Sequence, residues 1–190
     1  IRDRFYSVGV APTAAVSGLS GEYFAAGAQD NGTQFFEDAQ PVINGSSQSQ
    51  GGDGAYTMFD QGADKYYISN YVYNESIVLR PLPGSALNTR TLDADNNGNN
   101  GAFIAPMTLD SNLDVLYADY SNGTTYRVRR YTNIKSGAIV RTDLTDPLLT
   151  APPTALTVSP FTTTSSTLLV GTRLGKLLKI SSAQTGNGIW

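Results

Sequence analysis

The chain has 190 residues, of which 40 % are hydrophobic and 10 % aromatic, as is usual for a globular domain with one substantial core. It contains no cysteine and no histidine, which excludes disulfide bonds, thiolate or imidazole metal sites, cysteine nucleophiles and a Ser-His-Asp triad. The net charge of −3 argues against non-specific binding to nucleic acid, and no apolar run approaches the roughly 20 residues of a membrane span.

Four stretches of the sequence repeat one pattern, in which an aromatic or apolar pair leads into a Gly, Asn or Asp corner and then into a second apolar strand. These stretches are 23–36, 66–80, 116–130 and 168–180. Their corners are 43, 49 and 52 residues apart, at Gly27, Asn70, Asp119 and Gly171. A period of about 40 to 50 residues that is built from strands and turns is typical of β-propeller blades.

A further predicted strand precedes the corner in three of these repeats. The segments 55–60, 103–110 and 154–160 carry alternating apolar residues and lead into turn-forming sequences. We therefore predict an all-β chain, a β-propeller section of about three to four blades with four antiparallel strands each. In this prediction 1–190 is a single section, with outer strands of one blade in 1–50 and further blades in 51–95, 101–143 and 153–190.

The predicted blades leave sheet edges open, since propellers usually close with four to eight blades. We expect the chain to be part of a larger propeller, so that the remaining propeller chain or a second copy covers these edges. Glycine is frequent in the turns, where it adopts positive φ and permits close backbone approach. The predicted structural turn residues are Gly27, Asp30, Gly32, Gly52, Asp53 and Gly54.

Several of these motifs occur together in the order of a known family. The sequence GAQDNGTQFF is followed by GGDGAYTMFD, GAFIAPMTLD and LLVGTRLGKLLKI. This set resembles the BNR-like or sortilin-type propellers of secreted Bacteroidetes proteins, many of which are exported by type IX secretion. The resemblance covers most of 23–180 and implies a propeller in a secreted or bacterial cell-surface protein. Within it, 28–35 is similar to an Asp-box, in which Asp30 would bind turn amides and Phe35 would pack beneath the turn.

Two acidic turn residues offer a catalytic alternative. Propeller glycoside hydrolases that cleave xyloglucan carry an acidic catalytic residue in a similar strand-turn-strand, and the resemblance extends to them. Glycoside hydrolysis uses two carboxyl groups about 5 to 10 Å apart. Asp30 and Asp53, both in Gly-flanked turns, are the candidate pair. We prefer the structural interpretation of Asp30, in which its carboxylate accepts hydrogen bonds from backbone N–H groups of a tight turn.

One loop has the spacing of a calcium site. Asp93, Asp95 and Asn97 stand at alternate positions and are followed by Gly98. Oxygens at positions 1, 3 and 5 of a turning loop can bind one hard cation, and glycine at position 6 permits the bend. The bidentate Glu of position 12 is missing, because Ile104 stands there. Ca²⁺ is therefore a possible ligand, and an unmetallated solvated loop is the alternative that we prefer.

The aromatic and basic residues of the strands have structural interpretations as well. Alternation places most of the tyrosines in packing between blades, with a minority left for stacking on sugar rings. Alternation also places Arg127 and Arg129 on one polar strand face, which we prefer to an anion site.

These observations favour an extracellular, non-catalytic binding or adhesion propeller whose ligand is a polysaccharide or a surface protein. A binding module predicts exposed aromatics without convergent carboxylates, whereas a glycoside hydrolase predicts an accessible cleft with two acids. A third alternative is a structural segment of a surface assembly.

Overall fold

The computed structural model describes residues 4–39, 41, 45–94 and 100–190. The chain is all-β, and its successive antiparallel sheets are blades of a β-propeller, which confirms the predicted fold class. Within each blade the strands follow one another in sequence order, so each sheet is a meander. By internal contacts the chain divides into two compact units, Ile1–Ala94 and Asp95–Trp190, with two blades in each. No helix among the described residues is long and apolar enough to cross a membrane.

The first unit holds two four-stranded blades. Blade 1 consists of β1 (Phe5–Val10), β2 (Phe24–Ala28), β3 (Gly32–Phe36) and β4 (Ser47–Gln50). Blade 2 consists of β5 (Gly54–Phe59), β6 (Tyr66–Tyr71), β7 (Ile77–Pro81) and β8 (Arg90–Asp93). A short helix α1 (Ala14–Ser17) lies between β1 and β2, and a 3₁₀ turn, Val72–Asn74, follows β6.

The second unit holds one four-stranded and, among the residues described, one three-stranded blade. Blade 3 consists of β9 (Met107–Asp110), β10 (Val115–Asp119), β11 (Val128–Thr132) and β12 (Val140–Leu144). Blade 4 consists of β13 (Pro153–Val158), β14 (Leu168–Thr172) and β15 (Leu177–Ile180). The corners predicted at Gly27, Asn70, Asp119 and Gly171 are the last or next-to-last residue of the second strand in their blades.

The segment 1–50, for which the sequence predicted only outer strands of one blade, holds the four-stranded sheet of blade 1. The segment FYSVGV forms β1, which pairs with β2 over Phe5–Val10. The pairing is hard to see in the sequence because thirteen residues, including α1, separate these strands. Gly18 ends the helix at φ 65° and returns the chain toward β2. The prediction that 1–190 forms one section remains a prediction.

The two blades of the first unit meet through hydroxyl-to-carbonyl hydrogen bonds and through stacked aromatic rings. Ser7 donates its hydroxyl to the carbonyl of Ala55 at 2.8 Å, and Thr57 donates its own to the carbonyl of Ala25 at 2.7 Å. Farther out, Phe35 of blade 1 stacks on Tyr67 of blade 2 with ring centroids 5.2 Å apart. Such offset stacking adds to the burial of apolar area, and the stack belongs to an apolar cluster that includes Tyr23 and Ala25 of the segment 23–28 and Phe59 of β5.

The blades of the second unit enclose an apolar core and a buried polar cluster. Tyr117, Val128, Leu168 and Ile180 are fully buried within this core. Burial raises the pKa of the Tyr117 phenol to about 12, so the phenol is neutral below that pH. Beside the core, the hydroxyl of Ser166 donates to Asp110 Oδ2 at 2.6 Å. Polar contacts therefore accompany apolar packing between these blades.

The segment after β15 is tied back to blade 3. The guanidinium of Arg130, 7 % exposed, donates to the carbonyls of Ala183 and Gly186 at 2.7 and 3.0 Å. The amide side chain of Asn187 bonds to both the N–H and the carbonyl of Thr145. Arg130 thus faces the interior, on the opposite side of β11 from Arg127 and Arg129.

We predict that the repeat corners Gly27 and Gly171 differ sharply in their tolerance of a side chain. A Cβ on Gly27 would overlap the backbone of Ala55, whereas one on Gly171 would meet Ala155 Cβ at an ordinary 3.5 Å. Gly27→Ala should lower the free energy of unfolding by about 1 to 3 kcal/mol or more, because backbone cannot move aside as a side chain can. Gly171→Ala should change it by less than about 0.5 kcal/mol. Urea unfolding measures both, and equal losses would contradict the close approach at Gly27.

Candidate functional site

The structure brings together the two acidic turn residues singled out in the sequence. The backbone N–H of Asp30 donates to Asp53 Oδ1 at 2.7 Å. Asp30 lies in the left-handed region, with φ 59°. The carboxylate that accepts this turn hydrogen bond is therefore that of Asp53, although the sequence analysis assigned this role to Asp30. The sequence showed no signal for this choice because Asp30 lies in the β2–β3 turn and Asp53 in the connection from β4 to β5, 23 positions farther along the chain.

Glycines explain why Asp53 reaches Asp30. A Cβ on Gly54 would overlap the backbone of Gly32, and a Cβ on Gly32 would overlap the carbonyl of Gln50. Gly32 and Gly52 have positive φ values of 68° and 75°. The connection from β4 to β5 therefore crosses directly over the β2–β3 turn. All of these residues act in one turn contact between blades 1 and 2.

We predict that the Asp53 carboxylate stabilises this turn. Asp53→Ala should cost about 0.5 to 1.5 kcal/mol because the exposed N–H of Asp30 exchanges its carboxylate acceptor for water, whereas Asp53→Asn retains an acceptor oxygen and should cost less. Asp30→Gly should change the free energy of unfolding by less than about 0.5 kcal/mol, since glycine accepts the positive φ. Chemical unfolding of the three variants measures these differences. A larger loss in Asp30→Gly than in Asp53→Ala would return the capping role to Asp30.

The predicted calcium loop lies mostly outside the described residues. Asp95 and Asn97 belong to that undescribed part, and the structure describes Asp93 alone of the three. Asp93 ends β8, is 6 % exposed, and accepts the N–H of Ala94 on Oδ1 at 3.0 Å. Among the described residues no group of three or more acidic side chains is placed to hold a metal ion. Calcium binding at this loop stays a prediction.

The basic motif of β11 and the residues before it form an ion-pair cluster. Arg129 binds Asp143 through two hydrogen bonds, of 2.6 and 3.1 Å, and Arg127 binds the same carboxylate at 3.1 Å. The ring of Tyr120 lies 3.5 Å from Arg129 Cζ. Burial alone would lower the pKa of Arg129, but the hydrogen bonds and charge of Asp143 raise it above its usual value. Since Asp143 binds both guanidinium groups, the cluster stabilises blade 3 and is a poor anion site.

An open cavity of about 350 Å³ lies in the second unit beside this cluster, and we name it the Tyr126 cavity. Its walls come from the segments before β9, after β10, before β13 and after β14. None of the residues that line it is acidic. They are Gly101, Ala102, Ser121, Gly123, Tyr126, Thr150, Ala151, Pro152, Arg173 and Leu174.

Asp119 binds backbone N–H groups of two segments that line the Tyr126 cavity. Its side chain is fully buried and accepts the N–H of Ala102 on Oδ2 and that of Ser121 on Oδ1, both at 3.0 Å. Burial raises the pKa of Asp119, although these hydrogen bonds and Arg127 act in the opposite direction. The sequence marked Asp119 only as a repeat corner, because nothing local showed which backbone groups it would bind.

A second cavity of about 560 Å³, the Glu22 cavity, lies in the first unit between α1 and the β3–β4 side of blade 1. Val10, Thr13, Tyr23 and two acidic residues, Glu22 and Asp38, are among the residues that line it. Both acidic residues are exposed. Neither Asp30 nor Asp53 lines this cavity or the Tyr126 cavity. Sequence reasoning missed Glu22 and Asp38 because no motif contains them.

Comparison with known proteins assigns no function to these sites. No protein-family model matches the chain, and no curated protein matches it significantly.

We predict a distinct pH dependence for Asp119→Asn. The raised pKa means that the folded state keeps a proton on Asp119 which the unfolded chain releases near pH 4. The stabilisation from this proton is fully present below that pH and is lost as pH rises through the folded-state pKa. We therefore compare the free energy of unfolding of the native chain with that of Asp119→Asn. The native chain's value minus the variant's should fall as the pH rises from about 4 to the folded-state pKa of Asp119, and it should then level off. Urea unfolding from pH 3 to 8 measures it, and a difference that rises with pH would contradict the burial effect.

Proposed function

We propose that the chain is an extracellular, non-catalytic binding or adhesion propeller, and that its ligand site is the Tyr126 cavity. The observation that carries the proposal is this cavity's combination of an aromatic ring, a guanidinium and hydroxyl groups without any acidic lining residue. The composition, rich in Ser, Thr, Asn and Gly with only 15 % charged residues, and the resemblance to BNR-like or sortilin-type propellers support a secreted or cell-surface location. A surface protein as ligand remains the alternative to a polysaccharide.

The chemistry of the cavity suits a sugar ring. Aromatic faces stack on the C–H faces of pyranoses, and a few fixed polar groups then set the orientation. Tyr126 is partly buried against the core of the second unit, which restrains its ring. Thr150 supplies an exposed hydroxyl group and Arg173 an exposed cation, whereas the hydroxyl of the buried Ser121 bonds to the backbone of Arg127. The Arg173 guanidinium forms no ion pair with any residue in the described ranges and so favours a saccharide that carries a carboxylate.

A hydrolase is the second candidate, and one observation favours it. Glu22 and Asp38 line the same cavity, as a pair of catalytic carboxyl groups would. Both residues are exposed, however, whereas a glycosidase acid needs surroundings that favour its protonated form. The alternative pair, Asp30 and Asp53, is engaged in a turn hydrogen bond. We therefore rank hydrolysis below binding.

We predict that Tyr126→Leu and Arg173→Ala weaken saccharide binding at least about fivefold, since each removes a contact of about 1 kcal/mol or more from the ligand. Leucine at 126 retains packing against the core. Phe161→Ala is the matched control, because Phe161 is 92 % exposed and lies outside the cavity. Titration calorimetry with oligogalacturonate and with xyloglucan oligosaccharides measures the affinities.

The same samples test hydrolysis. Release of reducing ends should be absent from the native chain. Turnover that Glu22→Gln or Asp38→Asn abolishes, while Asp30→Asn does not, would replace the binding proposal with the hydrolase. Equal affinity of the native chain and Tyr126→Leu for every saccharide would remove the Tyr126 cavity as the site.

A further inference from the structure

The loop between β10 and β11 contains an Asn-Gly pair, Asn122–Gly123. The sequence holds six such pairs, and four of them lie wholly within the described residues. In an Asn-Gly pair the backbone nitrogen of the glycine can attack the side-chain carbonyl carbon of the asparagine, since glycine has no Cβ to hinder the approach. Whether this attack takes place in a folded chain depends on how firmly the structure holds the two residues.

Two of the described pairs are held by packing and by a backbone hydrogen bond. In the first, Gly32 is buried in β3, and a Cβ there would overlap the carbonyl of Gln50. In the second, Asn100 is 8 % exposed, and the N–H of Gly101 donates to the carbonyl of Ser121 at 2.6 Å. Neither glycine nitrogen can approach the preceding side chain unless these contacts break.

The third pair, Asn187–Gly188, is held at both residues. The carboxamide of Asn187 donates to the carbonyl of Thr145 at 2.7 Å and accepts the N–H of the same residue at 2.9 Å. The N–H of Gly188 donates to the carbonyl of Thr185 at 3.0 Å. The attack would break all three hydrogen bonds, so the fold protects this asparagine.

The fourth pair, Asn122–Gly123, is exposed at both residues. Gly123 has φ 76°, and no atom beyond its chain neighbours lies within 4 Å of the position that a Cβ would take. The N–H of Gly123 donates to no residue of the described chain, because the hydrogen bonds of this loop are made by its neighbours. The pair can therefore rotate into the reactive geometry without opening the blade.

One hydrogen bond of this loop favours the attack. The N–H of Thr125 donates to Oδ1 of Asn122 at 3.2 Å. Attack on Cγ places negative charge on this oxygen, and a positioned N–H donor stabilises such charge. Asn122 thus combines an accessible nucleophile with a donor on the oxygen that becomes charged.

From these observations we infer that Asn122 is a site of spontaneous deamidation. The nitrogen of Gly123 gives its proton to solvent and bonds to Cγ of Asn122, the bond from Cγ to the side-chain nitrogen breaks, and ammonia leaves with a proton from water. Water then opens the five-membered imide. Cleavage between the glycine nitrogen and Cγ gives aspartate, whereas cleavage between that nitrogen and the backbone carbonyl carbon gives isoaspartate.

Either product adds a negative charge at the Tyr126 cavity, and the effect of this charge on binding rests on the function proposed for that cavity. Ser121 and Gly123, the neighbours of the modified residue, line the cavity, and none of the lining residues is acidic. The new carboxylate repels an anionic saccharide that Arg173 attracts. Deamidation thus lowers the affinity of the cavity for such a saccharide as the protein ages.

The first test maps deamidation in the full folded chain. Samples are incubated in mildly alkaline buffer and digested, and mass spectrometry measures the acid form of each Asn-Gly peptide over time. Asn122 should deamidate at least about tenfold faster than the other three described asparagines, because its pair opens locally at the lowest cost. In urea the four rates should converge, since the dipeptide is the same in all four. Equal rates at Asn122 and Asn187 in the folded chain would overturn the inference.

The second test measures the effect on binding by titration calorimetry. Once Asn122 is converted, the chain should bind oligogalacturonate about threefold more weakly than fresh protein, and Asn122→Asp should reproduce this loss. Affinity for neutral xyloglucan oligosaccharides should not change. Asn122→Gln is the matched control, because the longer side chain forms the imide slowly, and its affinity should be stable during incubation. An equal loss in incubated Asn122→Gln would overturn the link between the modification and the cavity.

The two tests separate this inference from the proposed function. The peptide map decides the modification at Asn122 whether or not any saccharide binds. Saccharide binding by the fresh native chain decides the function of the cavity whether or not Asn122 is converted.

Discussion

The first unit depends on the close approach of the main chains of its two neighbouring blades. Where β2 and the β2–β3 turn meet β4 and β5, glycines leave no room even for a methyl group. This spacing brings the hydroxyl groups of Ser7 and Thr57 within reach of carbonyls across the interface. It also sets the distance at which Phe35 and Tyr67 stack. A small change at the glycines would therefore be felt along the whole interface, since packed interiors transmit strain.

Blades 3 and 4 meet the same requirement by different chemistry. Buried polar groups take a larger share here, because Asp110 binds Ser166 and Arg130 binds the carbonyls of Ala183 and Gly186. These contacts join residues more than 50 positions apart in the sequence. One repeat period thus supports two kinds of interface, and the polar kind specifies its partner through hydrogen-bond geometry.

The sequence predicted the strands and corners that repeat along the chain, but it did not predict the contacts and cavities that distant segments form. The repeated corners identified the second strand of every blade, because alternation and glycine placement are local signals. The same alternation placed Arg127 and Arg129 together, and the structure adds their shared partner Asp143. It could not assign the turn carboxylate to Asp53 or reveal that Asp119 joins Ala102 to Ser121. Both cavities likewise form from loops of separate strands, for which spacing along the chain carries no information.

The contacts of the last ten residues have a consequence for cooperativity. Segments outside the sheets often open independently of the domain, and their amide protons exchange with solvent in local fluctuations. Here the buried Arg130 binds the carbonyls of Ala183 and Gly186, and Asn187 binds both backbone groups of Thr145. Detaching the segment would strand a buried guanidinium, which costs several times the free energy of an ordinary exposed hydrogen bond. The segment 181–190 therefore belongs to the same cooperative folding unit as blade 3, and its amide protons exchange when that blade opens.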